Sequence, residues 1–290
     1  MAEYEDTRYI ATSRCSDAFV IANREGGVKF FKNSRLVELP ERRFDLGGKR
    51  MAISSQGDWL VVASYKSKVV VCYSLDDCKR LWERPGFKMC NEVKFVEQFD
   101  ETIFVNTYPN KSYLLSVKDG RVQSKLDCIS CWNYPRDPNR ILFERKDDLA
   151  LLDRQVIQRT SVVKTTFAVL DGCFVNPDVF LVAYSGGPLE LVDLNSQKKK
   201  WELRIEGHFI KVGYAEHLDK VFAIAWNYKL GGATFLFHVD ISTGAVMAKF
   251  DLGRIVDVAF RKNYSELITT TGAVYSTERG DLIHQLNFDI

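Results

Sequence analysis

The chain has 290 residues, with 40 Lys and Arg against 38 Asp and Glu, a formal net charge of +2. So nearly neutral a chain does not indicate nucleic-acid binding through a global basic field, and apolar runs such as Val179–Tyr184 fall far short of the roughly 20 residues of a helical membrane span. Residues 1–6 are acidic and polar, unlike a secretory signal, and seven cysteines, several inside apolar runs, suit reduced, buried thiols in a cytoplasmic protein.

Short runs rich in Val, Ile, Phe and Tyr recur along the chain, punctuated by Gly, Asn, Asp and Pro, with no sustained helical period. Residues 9–46 form a first unit. Each later unit carries a triplet of apolar, small or polar, then apolar residues: Met51-Ala-Ile53, Val93-Lys-Phe95, Trp132-Asn-Tyr134, Phe167-Ala-Val169, Val212-Gly-Tyr214 and Val258-Ala-Phe260. After a polar turn a second strand begins, so that Ile53 leads to Leu60, Phe95 to Ile103, Tyr134 to Ile141, Tyr214 to Val221 and Phe260 to Leu267. The Phe167 unit is expected to have a longer turn, through Asp171-Gly-Cys173 and Asn176-Pro-Asp178, before Phe180. A third strand ends at one register in Leu75, Val117, Leu194, Ile241 and Thr277, and Gly120, Gly244 and Gly280 stand three positions after three of these. Those glycines are read as the positive-φ residues of tight hairpins. Trp82 and Trp201 fall on fourth strands. Four strands in about 41 residues is the period of a propeller blade. The units are placed at 8–46, 49–84, 91–127, 128–163, 164–205, 206–252 and 253–290.

Gly207-His208, followed after three residues by Val212, and the segment Val239-Asp240-Ile241-Ser-Thr-Gly244 resemble the opening and end of a WD repeat, with Val in place of Trp. Val192-Asp193 and Leu152-Asp153 are similar, and the stretch from Leu75 to Trp82 resembles a quinoprotein-like repeat ending. The chain thus resembles the WD-repeat and quinoprotein-like β-propeller superfamily. That resemblance implies an all-β fold, a seven-bladed β-propeller of four-stranded antiparallel blades, occupying residues 1–290 as a single domain. No Trp-Asp dipeptide occurs and Gly-His occurs once, so the hydrogen-bonded tetrad of WD repeats is not carried over. The first and last units each look complete, so the first blade is expected to pack directly on the last without a separate closing strand.

Chemistry is sparse. Cys128-Ile-Ser-Cys131 lacks the second ligand pair of a structural zinc site and is read as two thiols entering an inner strand. His208, His217, His238 and His284 are scattered, and nothing selects a Ser-His-Asp arrangement. His208 is read as a turn residue between blades and His238 as a packed third-strand residue. The Gly pairs in Tyr184-Ser-Gly-Gly-Pro188 and Lys229-Leu-Gly-Gly232 lack the Lys-Ser or Lys-Thr of a phosphate loop. Asp76-Asp77, Asp147-Asp148 and Lys198-Lys-Lys200 read as solvated turn charges. No catalytic residue, metal site or cofactor is assigned, and the chain is expected not to be an enzyme.

Propeller geometry sorts loops onto two faces. Loops between second and third strands, with the blade-to-blade connections, are expected on one face. They carry Arg24, Tyr65, Lys66, Lys68, Tyr108, Lys111, Arg145, Lys146, Tyr184, Trp226, Tyr228 and Lys229, joined by Lys49, Arg50, Arg84, Lys88 and Arg254, with fewer acidic residues, chiefly Glu25, Asp147, Asp148 and Glu206. The loops between first and second strands are mostly acidic, with Asp17, Asp58, Glu97, Asp100, Glu101, Asp137, Asp178, Glu216, Asp219 and Glu266 against Arg136 and Lys262. Tyr, Trp and Arg are enriched at binding hot spots, and a basic face steers an acidic partner. These residues point to a protein-binding scaffold, monomeric on its own, that captures an acidic protein surface, as an adaptor or as an immunity protein covering a toxin. The alternatives are a propeller enzyme or small-ligand binder with a site at the central channel, and nucleic-acid or anionic-lipid headgroup binding on the same basic face.

Overall fold

The structure is a computed structural model and describes residues 7–23, 27–33, 35–37, 51–64, 68–96, 102–109, 111–133, 140–146, 148–153, 158–255 and 257–286. Among the described residues it contains seven four-stranded antiparallel sheets, each built from four strands consecutive in the chain. The sheets span 7–37, 51–85, 90–126, 130–164, 169–203, 208–254 and 258–285. The fold is a seven-bladed β-propeller, and its only helical elements among the described residues are the 3-10 turns Glu216–Leu218 and Tyr228–Leu230.

Strand composition follows strand position. Second strands such as Thr102–Thr107 and Val179–Tyr184 are buried along their whole length. Each is covered on both faces, which is why its apolar run is continuous rather than alternating. Fourth strands such as Arg80–Pro85 and Lys198–Leu203 are mostly exposed and charged, and those charges discourage edge-to-edge pairing with another chain.

The chain divides into two units. The first comprises Met1–Ile129, Val256–Tyr275 and Leu282–Ile290, which hold blades one, two, three and most of seven. The second comprises Ser130–Ile255 with the Ser276–Asp281 turn of blade seven. In the first unit one cluster joins blades one and two around Phe30, Leu60 and Tyr73. A second joins blades two and three around Cys72, Phe95 and Ile103. A third joins blades seven and one around Phe19, Ile21 and Ile268. Blade one therefore packs directly on blade seven. Thr12 Oγ1 donates to the Phe260 carbonyl (2.6 Å), and Ile10 N donates to Asp257 Oδ2 (3.3 Å). In the second unit Val169 N donates to Glu144 Oε1 (2.7 Å) and Val212 N to Asp171 Oδ2 (2.9 Å). A carboxylate of one blade thus accepts an inner-strand N–H of the next in both units.

A second device repeats at the ends of the third strands. Trp82 Nε1 donates to the Val117 carbonyl at 2.5 Å, and Trp201 Nε1 to the Ile241 carbonyl at 2.7 Å. Each indole lies against the glycine three residues further on. A Cβ at Gly120 would fall 2.6 Å from Trp82 Cε3, and one at Gly244 2.7 Å from Trp201 Cδ2. Blade six divides this task between two residues. Ala248 occupies the position of the tryptophans, opposite His238. His238 Nε2 instead bonds the Thr277 carbonyl at 2.5 Å, while the Phe250 ring covers Gly280. The three glycines do take positive φ, between +66° and +74°, but ring clearance is a second and independent demand on them.

Blade five corrects the sequence register. The inner strand is Val169–Asn176 and runs through Asp171-Gly-Cys173 without a turn. Phe174 faces Phe180, the pairing that Tyr214 makes with Val221 in blade six, so the triplet belongs at Gly172-Cys-Phe174. Gly172 misleads because it serves as a strand glycine. A Cβ there would lie 2.6 Å from Phe180 Cζ, and the missing side chain makes room for that ring. Phe167, placed in the strand by sequence, lies before it and is 38% exposed.

Gly244 and Gly253 have nearly equal φ, +74° and +78°, but nothing lies within 4 Å of a Cβ at Gly253. Gly253→Ala is expected to cost about 1–2 kcal/mol of left-handed strain. Gly244→Ala is expected to cost about 2 kcal/mol more, the scale of overpacking, read as denaturant midpoints. His238 supplies a pH signature. Burial lowers its pKa from the ordinary 6.5, against the raising effect of the Thr277 bond. The unfolded chain then binds the proton more readily. The contribution is present above about pH 6.5 and is lost as pH falls through the lower folded value. His238→Gln should flatten that part of the stability–pH curve, measured by denaturation at a series of pH values.

Candidate protein interface

The two loop families sort as their connectivity demands. Lys68, at the end of the blade-two loop between second and third strands, accepts from Gly86 N and Phe87 N of the next connection, both at 3.0 Å. Tyr108 N donates to Met89 O (3.0 Å) and Ser185 N to Ala168 O (2.8 Å) in the same way. On the other side, first-to-second-strand loops bond each other and the third-to-fourth turns: Cys15 N to Ser55 O (2.9 Å), Asn263 N to Arg14 O (2.9 Å) and Leu75 N to Asp58 O (2.7 Å).

Of the residues singled out for the first face, Arg24, Lys49, Arg50, Tyr65 and Lys66 lie outside the described residues, as do Glu25, Glu97, Asp100, Glu101, Asp137, Asp147 and Arg136. In the first unit Lys68, Lys88, Tyr108 and Lys111 are exposed. Arg84 turns away. Its guanidinium donates to the Asp119 carbonyl, at 2.9 Å from Nη2, in a third-to-fourth turn, beside the Trp82 latch. In the second unit Arg145, Lys146, Trp226, Tyr228, Lys229 and Arg254 are exposed. Tyr184 is buried, 2% exposed, so the surface ring at that place is Phe167, which packs on it at 6.1 Å between centroids.

The second unit gathers these rings into one stripe. Its centre is the turn after the second strand of blade six. Asn227 Oδ1 accepts from Lys229 N (2.9 Å) and Leu230 N (3.3 Å), which caps the 3-10 turn, and Gly231 at φ +68° ends it. The sequence Asn-Tyr-Lys-Leu-Gly-Gly therefore builds a short protruding turn from local rules alone. It projects Tyr228 and Leu230, 54% and 56% exposed. Tyr228 stacks on His208 with centroids 5.7 Å apart, and Trp226 lies 6.4 Å from Tyr228. Gly186 lies beside the His208 ring and Gly187 against Phe167, so the stripe continues into blade five. His208, Phe167 and Leu230 are members that sequence reasoning missed. Only the Gly-Gly pair at 186–187, which leaves room for flanking rings, could have suggested His208 and Phe167.

The charges differ in their pairing. Among the described residues no carboxylate pairs with Lys68, Lys88, Lys111, Lys146, Lys229 or Arg254, and Arg145 reaches Asp148 only at 4.0 Å. On the other side Lys262 pairs with Glu266 (2.7 Å) and Asp17 (3.4 Å), and buried Arg261 pairs with Glu266 at 2.6 Å. Burial raises the Glu266 pKa, but those two cations hold it below the ordinary carboxylate value. Tyr214 Oη donates to Asp219 at 2.7 Å.

All seven cysteines are free thiols, and burial pushes Cys72 up to about 12. Lys199 is tied to Glu190 and Glu202. Among the described residues no three His, Cys, Asp or Glu side chains could hold a metal ion together, and no helix is long and apolar enough to cross a membrane.

No family model and no curated protein matches the chain. Its fold has clear likenesses among solved structures. One is a structure of U3-55K, with TM-score 0.70 and 12% identity over 93% of this chain and 89% of that one. Another is the Cps50 (Swd1) β-propeller domain of Myceliophteria thermophila, with TM-score 0.66 and 13% identity over 85% and 87%. The fold is that of a WD-repeat-like propeller.

Since Lys229 and Arg254 have no described partner, reversing both to Glu is expected to change stability by no more than about 0.5 kcal/mol. Lys262→Glu sets a third carboxylate beside Asp17 and Glu266 and should lower the thermal midpoint clearly more. Parallel thermal melts check both.

Proposed function

We propose that this chain is a non-catalytic scaffold that binds another protein through the face formed by its second-to-third-strand loops and blade connections. The carrying observation is the stripe of exposed Trp226, Tyr228 and Phe167 with half-buried His208, beside cations without described partners. Aromatic rings held by packing contribute contact area at little entropic cost. Unpaired lysines attract a surface of opposite charge and raise the association rate. The partner is therefore an acidic protein surface. The fold supports the same reading, since a propeller offers a broad loop surface on a rigid frame. Within this reading the chain acts as an adaptor, or as an immunity protein that silences a toxin by covering it. Assaying the captured partner's own activity with and without this chain separates the two roles.

Affinity capture from the native cell with matched variants tests the proposal. Trp226→Ala should weaken partner binding by about 2 kcal/mol, roughly thirtyfold. Lys229→Glu with Arg254→Glu should slow association and remove much of its salt dependence. Glu216→Lys with Asp219→Lys should leave binding intact. Loss of binding with the second pair and not the first would place the interface on the other face.

A further inference from the structure

A half-open cavity of about 250 Å³ lies between blades five and six, beside the aromatic stripe. Its walls are apolar: Ile205 from the connection, Ala225 from a second strand, and Phe235 and Phe237 from a third strand, closed above by Leu230 of the capped turn. Drug-sized ligands occupy pockets of roughly 300–1,000 Å³. This cavity is smaller and suits one bulky side chain better than a cofactor or free metabolite.

Three polar groups qualify the apolar lining. The Lys249 ammonium lies 3.9 Å from the centroid of the Phe235 ring, which pins it across the wall by cation–π attraction. Glu206 stands at the lip. Asn227 is buried and its Oδ1 is taken by the two turn N–H groups, so its amide N–H is what remains to offer a carbonyl acceptor. Lys249 and Glu206 are the charged residues of the lining; Lys229 belongs to the turn that carries Leu230, the Arg254 guanidinium lies beside Gly231 of that turn, and Asp251 already accepts from Gly253 N at 2.8 Å. The balance favours an acidic occupant.

Resting on the protein-binding reading above, we infer that this cavity is the anchor pocket for a single Leu, Met or Phe side chain carried on an acidic, extended segment of the partner protein. The anchor fills the space between Ile205, Phe235 and Phe237. Its flanking carboxylates meet Lys229 and Lys249, and a backbone carbonyl beside it accepts from Asn227. Leu230 of the capped turn covers the site and excludes water, the arrangement that makes a buried anchor dominate an interface.

The test selects a random peptide library displayed on phage against the full chain. Enriched peptides should share one bulky apolar residue flanked by Asp or Glu. A synthetic copy should bind the Ile205→Trp variant, whose indole fills the cavity, at least about tenfold more weakly, and should lose similar affinity to Lys249→Glu, which reverses the charge at the cavity wall. Matching thermal midpoints show that the variants fold. If Ile205→Trp does not fold, Leu230→Trp at the exposed turn repeats the plug. Enrichment of no peptide, of peptides without an apolar anchor, or of peptides indifferent to both plug and charge reversal overturns the inference. If the native partner is lost on Lys229→Glu with Arg254→Glu but not on plugging, the pocket inference falls and the protein-binding reading stands. If neither change affects capture, both fall.

Discussion

An aromatic side chain of one blade resting on a glycine of the next fixes the geometry of three blade joins, two to three, five to six and six to seven. Packed blades would slide over one another if apolar burial alone held them, since that force has no direction. The indole of Trp82 or Trp201 adds direction. Its N–H reaches one carbonyl, of Val117 or Ile241, while its ring occupies space that only glycine leaves open. A one-residue slip would set the ring against a Cβ and leave a partly buried N–H without a partner, each costing of order 1–3 kcal/mol. The carboxylates of Glu144 and Asp171, each accepting an inner-strand N–H of the next blade, fix blades of the second unit in the same manner.

Blade six shows what this device needs chemically. His238 supplies the hydrogen-bonding nitrogen and Phe250 the ring, while Ala248 stands where an indole would otherwise project. Two chemical requirements, a hydrogen-bond donor and a flat apolar surface, can therefore be met by one residue or shared between two. Sharing leaves a titratable ring buried in the interface, which makes this latch sensitive to acid where the tryptophan latches are not.

Stable blades free the loops from structural duty. The turn after Trp226 is set by its own residues, with Asn227 capping it and Gly231 and Gly232 ending it. It can present Tyr228 and Leu230 to solvent because burial of Phe235, Phe237 and Phe209 beneath it holds the blade in place. The same packing leaves a gap under Leu230 that no side chain of the second unit fills. Exposed rings, cations without partners among the described residues and an apolar gap lie together there.

Strand periodicity, the hairpin glycines and the third-strand register were legible in the sequence because each is local. Strand residues alternate or run apolar according to how many faces are covered, and a turn glycine is demanded by its own φ. Blade five escaped that logic. Gly172 is required by Phe180 across the sheet, and a contact partner distant in sequence cannot be read from a turn rule. The candidate face divided in the same way. Lys229, Trp226 and Tyr228 were found because their turn is self-contained. The burial of Tyr184, the diversion of Arg84 to Asp119, the exposure of Phe167 and the placing of half-buried His208 beside Gly186 depend on neighbouring blades. Sequence by itself determined the repeating sheets and their turns, through local backbone preference and burial pattern. Only tertiary structure decided which rings become latches and which reach the surface, because that depends on what the next blade places opposite them.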